Sequence, residues 1–108
     1  MSSRTEREIM QRIELSGNAS KIDHLNLDDV NIRYFTASTK ALLEKCSSLE
    51  YLCLNSCDLT SLENFPKLPK LIALELSNNK LNGNDLAILG QCPLLSFLSL
   101  DDNQIASL

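Results

Sequence analysis

One spacing of apolar residues returns four times along the chain. Leu71, Leu74, Leu76, Asn79 and Leu81 follow the order L-x-x-L-x-L-x-x-N-x-L, and Leu95, Leu98, Leu100, Asn103 and Ile105 repeat it. An earlier copy, Leu49, Leu52, Leu54, Cys57 and Leu59, carries cysteine where the others carry asparagine. The first, Ile22, Leu25, Leu27, Val30 and Ile32, has valine there. Successive copies begin 27, 22 and 24 residues apart. Inside each copy the x-L-x-L step has the period of two that belongs to an extended strand, so Leu74 and Leu76 face inward while Ala73, Glu75 and Ser77 face away. The chain must then reverse. An asparagine at that turn can donate and accept at once, satisfying backbone groups that would otherwise be buried unpaired. Cys57, Asn79 and Asn103 are therefore expected to form a structural ladder that weakens towards Cys57 and the apolar Val30.

A period in this range is that of leucine-rich repeats, whose units each bury their apolar side against the next. The predicted class is α/β: a right-handed leucine-rich-repeat solenoid with a parallel concave sheet and an N-terminal helical cap. Residues 1–20 form the capping helix and turn, and residues 21–108 the four repeats of the same domain. Ser3 with Glu6, and Thr5 with Glu8, both fit a capping box, and Ile9, Met10 and Ile13 supply one apolar face. Glu8 and Glu14 dilute any basic side, which favours a cap over a membrane-surface helix. The segments that return between strands differ. Residues 36–47 read as a short helix. Leu59, Leu62, Phe65, Leu68 and Leu71 recur every three residues beside Pro66 and Pro69, which predicts a tight path without a full α-helix. Residues 85–90 read as a helical turn started by Asn84 and stopped by Pro93.

Composition narrows the function classes. The 108 residues carry a formal charge of -4, which argues against direct nucleic-acid binding by phosphate neutralisation and favours a basic or neutral partner. Aromatics make up 5% and tryptophan is absent, so leucine and isoleucine must fill the core. No apolar stretch reaches the roughly 18 residues of a membrane span. Without an apolar leader, Cys46, Cys53, Cys57 and Cys92 read as free thiols of a soluble intracellular chain. The single histidine and these cysteine spacings complete no zinc pattern, so neither metal nor cofactor is expected.

Strand alternation also places the side chains that point away from the core. Their first column is His24, Tyr51, Ala73 and Phe97, the second Asn26, Cys53, Glu75 and Ser99, and the third Asp28, Asn55, Ser77 and Asp101, with Asp29 and Asp102 at the rim. Aromatics anchor interfaces and carboxylates pair with Lys or Arg, so this concave face is the expected partner-binding surface for a basic peptide. The plain alternative is that these side chains only solvate the sheet. No catalytic motif is present. A Cys53–His24 pair on neighbouring strands is the one geometric candidate, and the acids around it oppose thiolate formation.

The run Arg12-Ile13-Glu14-Leu15, then Ile22-Asp23-His24-Leu25-Asn26-Leu27-Asp28, Leu59-Thr60-Ser61-Leu62-Glu63-Asn64-Phe65-Pro66-Lys67-Leu68, Leu74-Glu75-Leu76-Ser77-Asn78-Asn79 and Cys92-Pro93-Leu94-Leu95 resembles the acidic leucine-rich nuclear phosphoprotein 32 family. That resemblance covers nearly all of the chain from Arg12. It implies a nuclear and cytoplasmic adaptor that binds histones and shields them from acetylation. It also implies restraint of type 2A protein phosphatase and a part in RNA export and apoptotic signalling. A second likeness, around Leu62 to Leu71, is to the leucine-rich A-prime scaffold subunit of the U2 spliceosomal particle. The family continues with a further repeat, an aromatic cap and an acidic tail, whereas this chain stops at Leu108. The expectation is a cut-down protein, or a homo-oligomer joined through the edge that Leu95, Leu98, Leu100, Ile105 and Leu108 would leave uncovered.

Overall fold

The computed structural model describes residues 3–104. Helix α1 spans Arg4–Ser16, and strand β1, His24–Asn26, follows it. Helix α2, Ala37–Glu44, separates β1 from β2, Tyr51–Cys53. Strand β3 is Ala73–Glu75, and a 3₁₀ helix, Gly83–Gln91, leads to β4, Phe97–Ser99. All four strands lie parallel in one sheet, in chain order. The register places Leu25, Leu52, Leu74 and Leu98 in one row. The molecule is thus of mixed α/β class, with each strand hydrogen-bonded to the next one in sequence.

The inward row forms the core. Leu25, Leu27, Leu49, Leu52, Leu54, Leu71, Leu74 and Leu76 are fully buried in one apolar cluster, with Val30 and Cys57 beside them. Burying a leucine contributes roughly 1.5–3 kcal/mol, so this row is the principal source of cohesion. Leu95, Leu98 and Leu100 are only partly buried against it. Ile105 and Leu108, the remaining members of the expected open edge, lie outside the described residues.

The helices are set by local chemistry. At the start of α1 the Ser3 hydroxyl accepts the Glu6 N–H at 3.0 Å, relieving one of the unpaired donors of the first turn. Ile9 and Ile13, four residues apart, share the buried face and join the core. Met10 does not share it. One residue turns a helix by about 100°, so Met10 leaves the Ile9–Ile13 stripe and is exposed. The helix ends at Gly17, whose φ of 131° is a backbone state that side chains disfavour, and whose N–H bonds the Ile13 carbonyl. From α1 the Arg12 guanidinium donates to the Asn26 carbonyl at 2.9 Å and the Asp28 carbonyl at 3.4 Å, tying the helix to the outer edge of the sheet.

The returns differ as their sequences differ. Thr36 caps α2 by accepting the Thr39 N–H at 3.1 Å, and Leu43 anchors that helix in the core. Residues 59–71 contain no helix and run through turns, with Leu62, Phe65 and Leu68 buried. Phe35 and Phe65 meet edge to face at 5.5 Å, joining the first return to the second. The third return is a helical segment as expected, but it starts two residues before Asn84. It begins at Asn82, where Asn82 Oδ1 accepts the Asn84 N–H and the Asp85 carboxylate accepts the Asn82 N–H, both at 2.9 Å. Gly83 and Gly90 weaken α-helical propensity, and the segment winds as a 3₁₀ helix.

Candidate functional site

Side chains opposite the core form a bonded network across all four strands. The His24 and Tyr51 rings stack at 4.8 Å with planes 11° apart. The Tyr51 hydroxyl donates to Glu75. Glu75 Oε1 also accepts from Asn55 Nδ2 at 2.8 Å, and the Asn55 N–H donates to Asp28 Oδ1 at 2.8 Å. The Asn55 Oδ1 in turn accepts the Ser77 N–H at 2.8 Å, and the Ser77 and Ser99 hydroxyls meet at 2.7 Å. Asn26 Oδ1 turns back to accept the Asp28 N–H at 2.8 Å. His24, Asn26, Asp28, Tyr51, Asn55, Glu75, Ser77 and Ser99 are thereby held on one side of the sheet. Phe97 stands beside them, 52% exposed, and Asp101 is also exposed.

Cys53 departs from that surface. It is 6% exposed and offers almost nothing to a visitor, and neighbouring Ala73 is 8% exposed. The pairing Tyr51↔Ala73 and Cys53↔Glu75 makes a square of four residues. The Tyr51–Glu75 bond runs along one diagonal, and the two small side chains at the other corners are the ones shut away. Alternation assigns a direction and says nothing about which neighbours lean over.

Charge in the network is set by the same bonds. The Tyr51 and Asn55 donors hold the Glu75 carboxyl below the ordinary value of 4.5, so it is anionic at neutral pH. Glu75 in return pushes the Tyr51 phenol up to about 12. Burial, reinforced by Glu75 and Asp28, pushes the Cys53 thiol up to about 11. In register His24 faces Tyr51 and Cys53 faces Asn26, so the candidate Cys53–His24 pair is not directly opposed. The arrangement offers fixed acceptors, a flat aromatic surface and anionic oxygen, which suits binding better than nucleophilic attack.

The turns beside this face carry the ladder. Asn79 Oδ1 accepts the Cys57 and Leu59 N–H groups, both at 3.0 Å, and its Nδ2 donates to the Leu54 and Leu76 carbonyls at 3.0 Å. Asn103 does the same with Leu81, Leu76 and Leu100 at 3.1, 2.8 and 3.0 Å. At Cys57 the thiol donates to the Leu27 carbonyl at 3.1 Å, and burial pushes that thiol up to about 12. A second periodic feature escaped the sequence reading. Asp29, Ser56, Asn78 and Asp102 all adopt a positive φ, between 56° and 68°. Asp29, Ser56 and Asn78 each send their N–H to the next copy at 2.8–3.0 Å. The available signal was the residue type, because Asp and Asn tolerate the left-handed region better than most side chains.

No family model matches the chain. It is 39% identical over 101 residues to acidic leucine-rich nuclear phosphoprotein 32 family member A of Drosophila melanogaster, an alignment covering 91% of the chain and 37% of that protein. The protein of the same name from Drosophila pseudoobscura pseudoobscura is 40% identical over 101 residues, covering 91% of the chain and 36% of the relative. A protein of Tetrahymena thermophila that is named as a histone is 33% identical over 94 residues, which cover 85% of the chain and 24% of that protein. The chain therefore spans little more than a third of the length of its fly relatives. These matches make the chain a relative of the acidic leucine-rich nuclear phosphoprotein 32 family, related to it through the leucine-rich repeats.

Proposed function

We propose that the chain is a protein-binding adaptor and regulator of the acidic leucine-rich nuclear phosphoprotein type, working in the nucleus and cytoplasm without catalysis of its own. On this reading the four strands are the inner layer of a right-handed leucine-rich-repeat solenoid, and their outward side chains receive a basic protein. Histones are the first candidate partner and a type 2A protein phosphatase the second, with chromatin regulation and phosphatase inhibition as the consequences.

The observation that carries the proposal is the bonded row from Asp28 through Asn55 and Glu75 to Tyr51, with His24 stacked on Tyr51. Its carboxylates are already oriented, so a cationic partner meets a fixed anionic surface and less ordering is required on binding. The fly relatives' name supports the regulator class, and the likeness to a Tetrahymena protein named as a histone supports chromatin as its setting.

Capture of core histones at low and raised salt tests the proposal. Retention that fades as salt rises, and weakens when Tyr51 and Phe97 are both changed to Ala, supports it, because contacts between exposed charges are screened. Equal capture by the wild type and the double variant would move the contact away from this face. Addition of the chain to type 2A phosphatase, with phosphopeptide turnover as the readout, tests the second partner.

A further inference from the structure

The sheet face is not uniform along the strands. Where they begin, Asp23, His24, Glu50, Tyr51, Ile72 and Ala73 line an open cavity of about 350 Å³. We propose that this cavity seats an arginine side chain of a partner segment, while an apolar residue two positions along the same segment rests on Ile72 and Phe97. The inference rests on the reading of this face as a protein-docking surface and specifies what it recognises.

Three features select the occupant. Asp23 and Glu50 stand immediately before β1 and β2, and the Glu50 N–H bonds the Asp23 carbonyl at 2.9 Å. Adjacent strands lie about 4.8 Å apart, so two acidic residues occupy neighbouring positions at the rim of the cavity. No lysine or arginine is among the lining residues, and the ion pairs found among the described residues, Arg4–Glu8 and Lys80–Asp58, involve neither acid. A cation from outside therefore meets acidic side chains that no ion pair among the described residues engages.

The His24–Tyr51 stack supplies a flat aromatic wall to the same cavity. A guanidinium is planar, stacks on such a wall and reaches carboxylates with two parallel N–H groups, which an ammonium does less well. Towards β4 the character changes to apolar. Ile72 is 42% exposed and Phe97 52%, and the Ile72 carbonyl accepts the Ser96 and Phe97 N–H groups at 2.8 and 3.1 Å. From Glu50 to Ile72 and Phe97 is one to two strand spacings, about 5–10 Å. In an extended partner, residues two apart on one face are separated by about 7 Å, which matches an Arg-x-apolar arrangement.

The test uses acetyl-Gly-Arg-Gly-Leu-Gly-amide, its citrulline, lysine and alanine-for-leucine counterparts, and core histones in parallel. Amide shifts of the isotope-labelled chain report the site, and circular dichroism confirms that each variant folds. The arginine peptide should perturb His24, Tyr51, Ile72 and Ala73. Neutral citrulline should bind about fivefold more weakly, and Asp23→Asn with Glu50→Gln should reduce arginine-peptide binding about tenfold or more. Equal binding of arginine and citrulline, or shifts confined to other residues, would overturn the inference. Histone capture that survives Asp23→Asn/Glu50→Gln unchanged would overturn it while leaving the docking reading intact. Peptide binding at the cavity without histone capture would support the cavity and reject the histone reading.

Discussion

The turn after β3 and the turn after β1 follow equivalent left-handed steps, at Asn78 and Asp29, but are held by different chemistry. After β3, Asn79 is 6% exposed, and its amide binds N–H groups of the preceding copy and carbonyls of both copies. After β1 the equivalent residue is Val30, fully buried, and the backbone looks after itself. The Val30 N–H reaches the Leu27 carbonyl and the Ile32 N–H reaches the Cys57 carbonyl, both at 3.1 Å. An inner turn has a preceding copy of itself to serve. The first turn has α1 instead, whose backbone groups are largely bonded within the helix. The same position therefore requires a polar residue in one place and an apolar one in the other.

Four substitutions break or sharpen that contrast. Asn79→Ala strands two buried N–H groups and at least two carbonyls, and should cost about 3–5 kcal/mol in denaturant unfolding. A loss below about 1 kcal/mol would remove the ladder from the account of stability. Val30→Asn places an amide where no preceding copy awaits it, so the residue favoured at position 79 should destabilise here by about 1–3 kcal/mol. A gain would show that the first turn had lacked only the right side chain. Cys57→Ala removes a weak thiol donor and should cost roughly 1 kcal/mol, distinctly less than Asn79→Ala in the same assay.

The smallest effect on stability belongs to Glu75→Gln, whose signature is pH. Glu75 is favoured as the anion, so its contribution is present above 4.5 and fades as pH falls through its depressed value. Tyr51 is favoured as the neutral phenol, so its contribution is present below 10 and fades as pH rises through about 12. In the Gln variant the acid component should vanish and Tyr51 should ionise nearer 10. Phenolate absorbance during an alkaline titration reads the change directly.

Legibility followed the range of each interaction. Four strands, their inward leucines and the split into outward columns could be written from the period of two, and register agrees with it from Leu25 to Leu98. The Ser3 and Thr36 caps are local, and they involve residues within three positions. Met10, the start of the third return and Cys53 were each assigned by position within an element, and each was decided by something beyond that rule. Met10 left a narrow stripe, Asn82 gained Asp85 as a reciprocal partner, and Cys53 was covered by the bond between Tyr51 and Glu75.

The chain's own order of apolar and polar residues thus determined that it would stack strand on strand, because a two-residue period in a recurring unit has one inward side and needs neighbours to cover it. Only the tertiary arrangement decided which outward residues meet. Side chains well over 20 positions apart, such as Asp28 with Asn55 and Tyr51 with Glu75, become neighbours through strand pairing, and the length and lean of each then selects which are bonded, which are covered and which stay open.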